Sequence, residues 1–178
     1  MLQLFITDLQ SYNEGDLVGR WIHLPDEPSN ISQALSEVLK EGEIISGSAN
    51  HEEYFITDYE WVDVSLFKVE EYSNPFELNS AIQALETLEV YQHKAIAFLM
   101  SEGLASDIYD AIEKVDDVQI YENQSMVDIA YSLIEECYSL EKIPSLIANH
   151  IDYEGIARDL ELEGNYYRVD QDVYEYIG

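Results

Sequence analysis

Thirty-seven Asp and Glu residues face eight Lys and Arg in this chain of 178 residues, a formal net charge of −29. Carboxylates can serve as acid–base pairs, as ligands for hard cations, or as the fixed charges of a binding surface. A glycosidase-like dyad needs two carboxylates at one defined separation; with this many, such pairs arise by chance and carry no information. Asp170-x-Asp172 begins like a calcium loop, but Glu175 stands where that loop needs glycine. His51-Glu52-Glu53-Tyr54-Phe55 begins like the zinc motif HExxH, yet Phe55 replaces the second histidine and the segment reads as a strand, where the spacing fails. His23, His93 and His150 fall in different elements, and neither a Gly-rich phosphate loop nor G-x-S-x-G occurs. Cys137 falls on the same helical face as Leu133 and Ile134 and is expected to be a buried small hydrophobe. Neither catalysis nor a cofactor nor a metal is expected.

The remaining use of the carboxylates is as a surface. They form no run longer than two and recur along nearly the whole chain, between apolar residues at helix and strand spacing. Acidic tails are blocks of like charge, and disorder requires low hydrophobicity, whereas 47% of these residues are hydrophobic. The charge argues against direct binding to nucleic acid or anionic membrane and for basic partners. The chain has neither a long uncharged apolar stretch nor the basic start of a signal peptide, and its single cysteine suits a reducing cytoplasm. Tyrosine is also in excess, at 14; packing in strands is expected for most, with rings between carboxylates at a binding surface as the sharper alternative.

Three units are expected to position these charges. Residues 2–7, 17–24 and 52–59 read as strands, the first two joined by the turn-rich SYNEGD. A helix after Pro28 carries Ile31, Leu35, Val38 and Leu39 on one face and is expected to end at Gly42. This α+β unit extends to about residue 72. Asn74-Pro75-Phe76-Glu77 is a helix start, and 73–116 reads as a small all-helical domain of three helices. From 117 to 178 a short strand at 118–121, a helix from Ser125 through Cys137, further helices after Pro144 and at 153–162, and a hairpin at 165–177 make a second α+β domain. The fold class is α+β, an elongated chain of three small domains.

Duplex DNA carries one negative charge per about 1.7 Å, so the net charge of −29 matches roughly 50 Å of duplex. A single sphere of this length would be only about 40 Å across, and stringing the charges along domains in a row relieves repulsion. Charge and domain pattern suggest an acidic mimic of a phosphate backbone. The segments SYNEGDLVGRWIHLP (11–25), EEYFITDYE (52–60) and IPSLIANHIDYEGIARDLELEG (143–164) resemble the ArdA antirestriction proteins of plasmids and conjugative transposons. That resemblance implies three domains in a row, a homodimer formed through the C-terminal domain, mimicry of bent B-form DNA, and inhibition of type I restriction–modification enzymes through their methyltransferase core. AYSLIEECYSLEKIP (130–144) falls where the family carries its antirestriction motif, which makes Leu133, Ile134, Cys137, Tyr138 and Leu140 the expected dimer or motif residues. The expected phosphate mimics are Glu70, Glu71, Glu86, Glu89, Asp107, Asp110, Glu113, Asp116, Asp117, Glu122 and Asp128. A halophile's hydrated surface, an acidic chaperone or scaffold for a basic protein, and a carboxylate hydrolase are the alternatives. Dependence of folding on molar salt would favour the first, and competition with DNA for one site separates the mimic from the second.

Overall fold

The computed structural model describes residues 1–138 and 142–178, which form two compact units, 1–112 and 113–178. In the first, β1 (Leu2–Asp8) runs antiparallel to both β2 (Gly19–Leu24) and β3 (Tyr54–Trp61), giving the order β2-β1-β3. Alternation puts Leu2, Leu4 and Ile6 on one face, opposite Leu24 and Ile22 of β2, and all are buried. The helix α2 (Pro28–Ser46) covers this face with Ile31, Leu35 and Val38. Each such side chain, fully buried, contributes about 1.5–3 kcal/mol. Arg20, opposite Ile6, reaches across to Glu37 and Glu41 of α2.

Two local expectations are corrected here. Residues 9–14, read as part of a turn, form the short helix α1 (Leu9–Glu14). The Asp8 side chain caps it by accepting from Ser11 N at 2.9 Å, and Gly15 ends it at φ +101°. Gly42 does not end α2, which continues to Ser46 and closes on Gly47 at φ +69°. Gly42 serves a close approach instead: a Cβ there would collide with the Asp8 carboxylate and lie 2.9 Å from His51 Nδ1.

The helical part of this unit comprises α3 (Pro75–Leu85), α4 (Val90–Ser101) and α5 (Ile108–Lys114), within which the unit boundary falls. Asn74 caps α3, accepting from Phe76 N at 2.9 Å, with Pro75 in the first turn as expected. The buried Asn79 ties α3 to the β2–α2 connection: its Oδ1 accepts from Asp26 N at 2.8 Å and its Nδ2 donates to Asp26 O at 2.9 Å. Residues 1–72 and the helices up to 112 therefore fall in one compact unit.

In the second unit β4 (Val118–Tyr121), β5 (Tyr166–Val169) and β6 (Asp172–Tyr176) pair antiparallel in the order β4-β6-β5. The helices are α6 (Met126–Tyr138), α7 (Ser145–Ala148) and α8 (Tyr153–Glu163). Met126, Ile129, Ala130, Ala157, Leu160 and Val173 make the core, with Leu133 packed against it. The helix α6 outruns that core: Leu133 and Ile134 are half-buried, and Cys137, expected to be inside, is exposed. Among the described residues the fold is thus mixed, with eight helices and two small three-stranded sheets, and no helix is long and apolar enough to cross a membrane.

Candidate partner-binding surface

Both units carry the charge. Residues 1–112 hold 21 acidic and four basic side chains, and 113–178 hold 16 and four, so neither unit is a neutral support for the other. Of the expected phosphate mimics, Glu70, Glu71, Glu86, Glu89, Asp107, Glu113, Asp116, Glu122 and Asp128 are exposed, while Asp110 and Asp117 are half-buried.

Several of these carboxylates also hold helix ends. Asp107 Oδ1 accepts from Tyr109 N at 2.9 Å and Asp110 N at 3.0 Å, and Asp110 Oδ2 accepts from Ser106 N at 2.8 Å, a reciprocal cap on α5. Asp128 Oδ2 accepts from Ser125 N at 2.8 Å and from Ser125 Oγ at 2.6 Å. Those two bonds from Ser125 hold the Asp128 carboxyl below its ordinary pKa. Glu89 opens α4 with a capping box in which its N–H donates to Gln92 Oε1 at 2.9 Å. A negative group at a helix N-terminus also meets the positive end of the helix dipole. These hydrogen bonds give the carboxylates fixed directions, which a charge lattice requires.

Several of the few cations sit on carboxylates. Arg20 binds Glu37 and Glu41, Lys68 Nζ lies 3.0 Å from Glu70 Oε1, and Arg168 pairs with Glu161. A hydrogen bond from Gln33 comes first among the causes that hold the Glu37 carboxyl below its ordinary value, with Arg20 adding to it. The field around each unit is accordingly that of its excess acid.

One buried polar network was not foreseen. His51 Nδ1 lies 2.7 Å from Asp8 Oδ2, and both side chains are fully shielded from solvent. His51 Nε2 is 2.9 Å from Ser48 Oγ and 3.1 Å from Ser46 Oγ. Burial works to raise the Asp8 pKa, but hydrogen bonds from Ser11 and His51 and attraction to the imidazole outweigh it, leaving the carboxyl below its ordinary value. The order Asp–His–Ser is that of an acyl-transfer triad. Here Ser48 Oγ already accepts from Gln10 Nε2 at 2.8 Å, and Ser48 N donates to Ser46 Oγ at 3.2 Å, so its own N–H is not available to an oxyanion. The network clamps β1, α1 and the end of α2 together. Asp8 and His51 stand 43 positions apart, and no local spacing signals their meeting.

In the second unit Tyr121 Oη donates to Glu175 Oε2 at 2.8 Å across neighbouring strands. Burial first, and then Glu175, push the Tyr121 hydroxyl up to about 12 and raise that of Tyr166. These tyrosines serve sheet packing, as expected for most of their kind. The side of α6 next to its core-facing one carries exposed Val127, Tyr131 and Tyr138 with half-buried Ile134 between them at helical spacing, and the Tyr131 ring also packs on Tyr153 of α8 at 5.3 Å. Leu146 and Ile147 of α7 are also exposed. Of the expected dimer residues, then, Ile134 and Tyr138 lie on this side of α6, Leu133 packs on the core, and Leu140 lies outside the described residues.

Among the described residues no group of three or more His, Cys, Asp or Glu is arranged to hold a metal ion. A family model described as Antirestriction protein (ArdA) matches residues 4–175. The chain belongs to the ArdA antirestriction family. Among curated proteins none matches it in sequence. The ArdA match runs through both units, and antirestriction is the function that membership implies.

Proposed function

We propose that this ArdA-family protein is a mimic of bent B-form DNA that occupies the DNA-binding channel of type I restriction–modification enzymes and blocks them. The observation that carries the reading is a net charge of −29 spread over two compact units, with most of the assigned carboxylates exposed and several fixed in direction as helix caps. A channel that binds duplex DNA gains free energy by releasing counterions from phosphates, and fixed carboxylates at comparable density draw on the same gain. The mimics are Glu70, Glu71, Glu86, Glu89, Asp107, Asp110, Glu113, Asp116, Asp117, Glu122 and Asp128, acting additively, on three segments bounded near residues 72 and 116.

Dimerisation belongs to the same proposal. The α6 residues Val127, Tyr131, Ile134 and Tyr138 would supply apolar surface for the interface. Pairing α6 with its copy would double the acidic surface. The deciding test is displacement of duplex DNA from a type I methyltransferase core with its specificity subunit. Competitive displacement is the expected result; binding to the complex without displacing DNA would overturn the mimic.

A further inference from the structure

The β2-β1-β3 sheet has a second face. Inner positions Leu4, Ile6 and Ile22 lie under α2, so the alternate positions Gln3, Phe5, Trp21 and His23 point the other way. Thr7 and Thr57 join hydroxyls on that outer side at 2.7 Å, and Asp58 and Glu60 stand opposite Phe5 and Gln3. An antiparallel sheet commonly leaves one face to water and makes it polar. This one carries rings. Phe5 and Trp21 meet edge to face at 5.3 Å, and Trp21 is 40% exposed. At the other edge Tyr12 of α1 and Tyr72 pack on Phe55 at 5.1 and 6.3 Å, with the tyrosines themselves 50% and 72% exposed. Tyr72 is held there because Ile56 N donates to the carbonyl of its neighbour Glu71 at 2.7 Å.

We propose that this outer face is a second contact surface, which takes arginine or lysine side chains of the restriction enzyme onto the exposed rings of Trp21, Tyr12 and Tyr72. The inference rests on the proposed function for the identity of the partner. Charge selects the occupant. The three strands place Asp58 and Glu60 on this face, and their one Arg or Lys, Arg20, is on the inner face. Cations stack on Trp and Tyr rings, and a guanidinium does so while hydrogen-bonding a carboxylate. A nucleic acid would bring phosphates to an acidic face, and a second copy would bring Asp58 and Glu60 against their own kind. The contact differs in kind from phosphate mimicry, since stacked and partly desolvated cations depend less on salt than exposed charge pairs do.

The test is the same displacement of DNA from the methyltransferase core, run at low and high salt with the full chain and with Trp21→Ala/Tyr72→Ala, both residues being exposed. The double variant is expected to need about tenfold more protein for half displacement, by a ratio that stays the same at both salts, and Trp21→Phe/Tyr72→Phe is expected to restore most of it. A grouped carboxylate variant should lose its deficit at high salt instead. Emission from Trp21, read in a Trp61→Phe background, should shift on binding. Failure of the unmodified protein to displace DNA would overturn the proposed function itself. Normal displacement by the double variant, or its loss of self-association, would overturn this inference alone.

Discussion

At the level of single residues, the Asp8–His51 pair is the most demanding contact in the protein, because a buried carboxylate must keep its partners or lose stability. Its folded pKa lies below the ordinary one, so its contribution is complete above the unfolded carboxylate value, about 3.9, and disappears as pH falls through the folded value. Acid also relieves repulsion among the exposed carboxylates, so the pair is isolated by comparison with a variant. Asp8→Asn should cost about 1–3 kcal/mol at neutral pH, and that deficit should shrink as urea denaturation is repeated at falling pH. A deficit independent of pH would mean the carboxylate is not the group that titrates. Gly42 gives a second test, of opposite sign to the usual rule. Replacing a mid-helix glycine by alanine normally gains up to about 1 kcal/mol. Gly42→Ala should instead lower the melting temperature, because the new methyl would meet Asp8 and His51 in a closed space.

At the level of elements, α6 serves two surfaces. Met126, Ile129, Ala130 and Leu133 face its own core, while Val127, Ile134 and Tyr138 lie on the neighbouring side with Tyr131, whose ring packs on Tyr153 of α8. A charge at Tyr138, which is 63% exposed, should leave the fold intact and oppose pairing of the helix with a copy. Tyr138→Glu is therefore expected to run as a monomer by light scattering at concentrations where the unmodified protein is a dimer, with unchanged circular dichroism and weaker inhibition. A monomeric unmodified protein would remove the dimer from the proposal. Cys137 is exposed because α6 outruns its core, and inward spacing alone does not tell a helix where its core stops.

Across the whole molecule, a lattice of charges should bind as a sum. An exposed pair is worth about 0–1 kcal/mol, so neutralising Asp107, Asp110 or Glu113 singly should leave inhibition nearly intact. Asn is the right substitution at Asp107 and Asp110, because it keeps an acceptor for the α5 cap; Ala would add a stability loss of about 0.5–2 kcal/mol and confuse the reading. Neutralising Asp107, Asp110, Glu113, Asp116 and Asp117 together should weaken inhibition progressively and flatten its dependence on salt. Loss of all binding through one of these carboxylates, with no effect of salt, would replace the lattice with a single hot spot.

Composition, order and local spacing determined much of this protein without the fold. The acidic surface, the strands at 2–7, 118–121 and 165–177, the capped start of α3 at Asn74-Pro75 and the ArdA resemblance were all legible, because charge, alternation and caps are local properties. Tertiary structure alone decided what depends on distant partners. It carried α2 past Gly42, since the space that glycine leaves is filled by Asp8 and His51 from elsewhere in the chain. It also left Trp21, Tyr12 and Tyr72 uncovered on the outer face of a sheet. Pattern shows which residues share a face; only packing shows whether anything covers it.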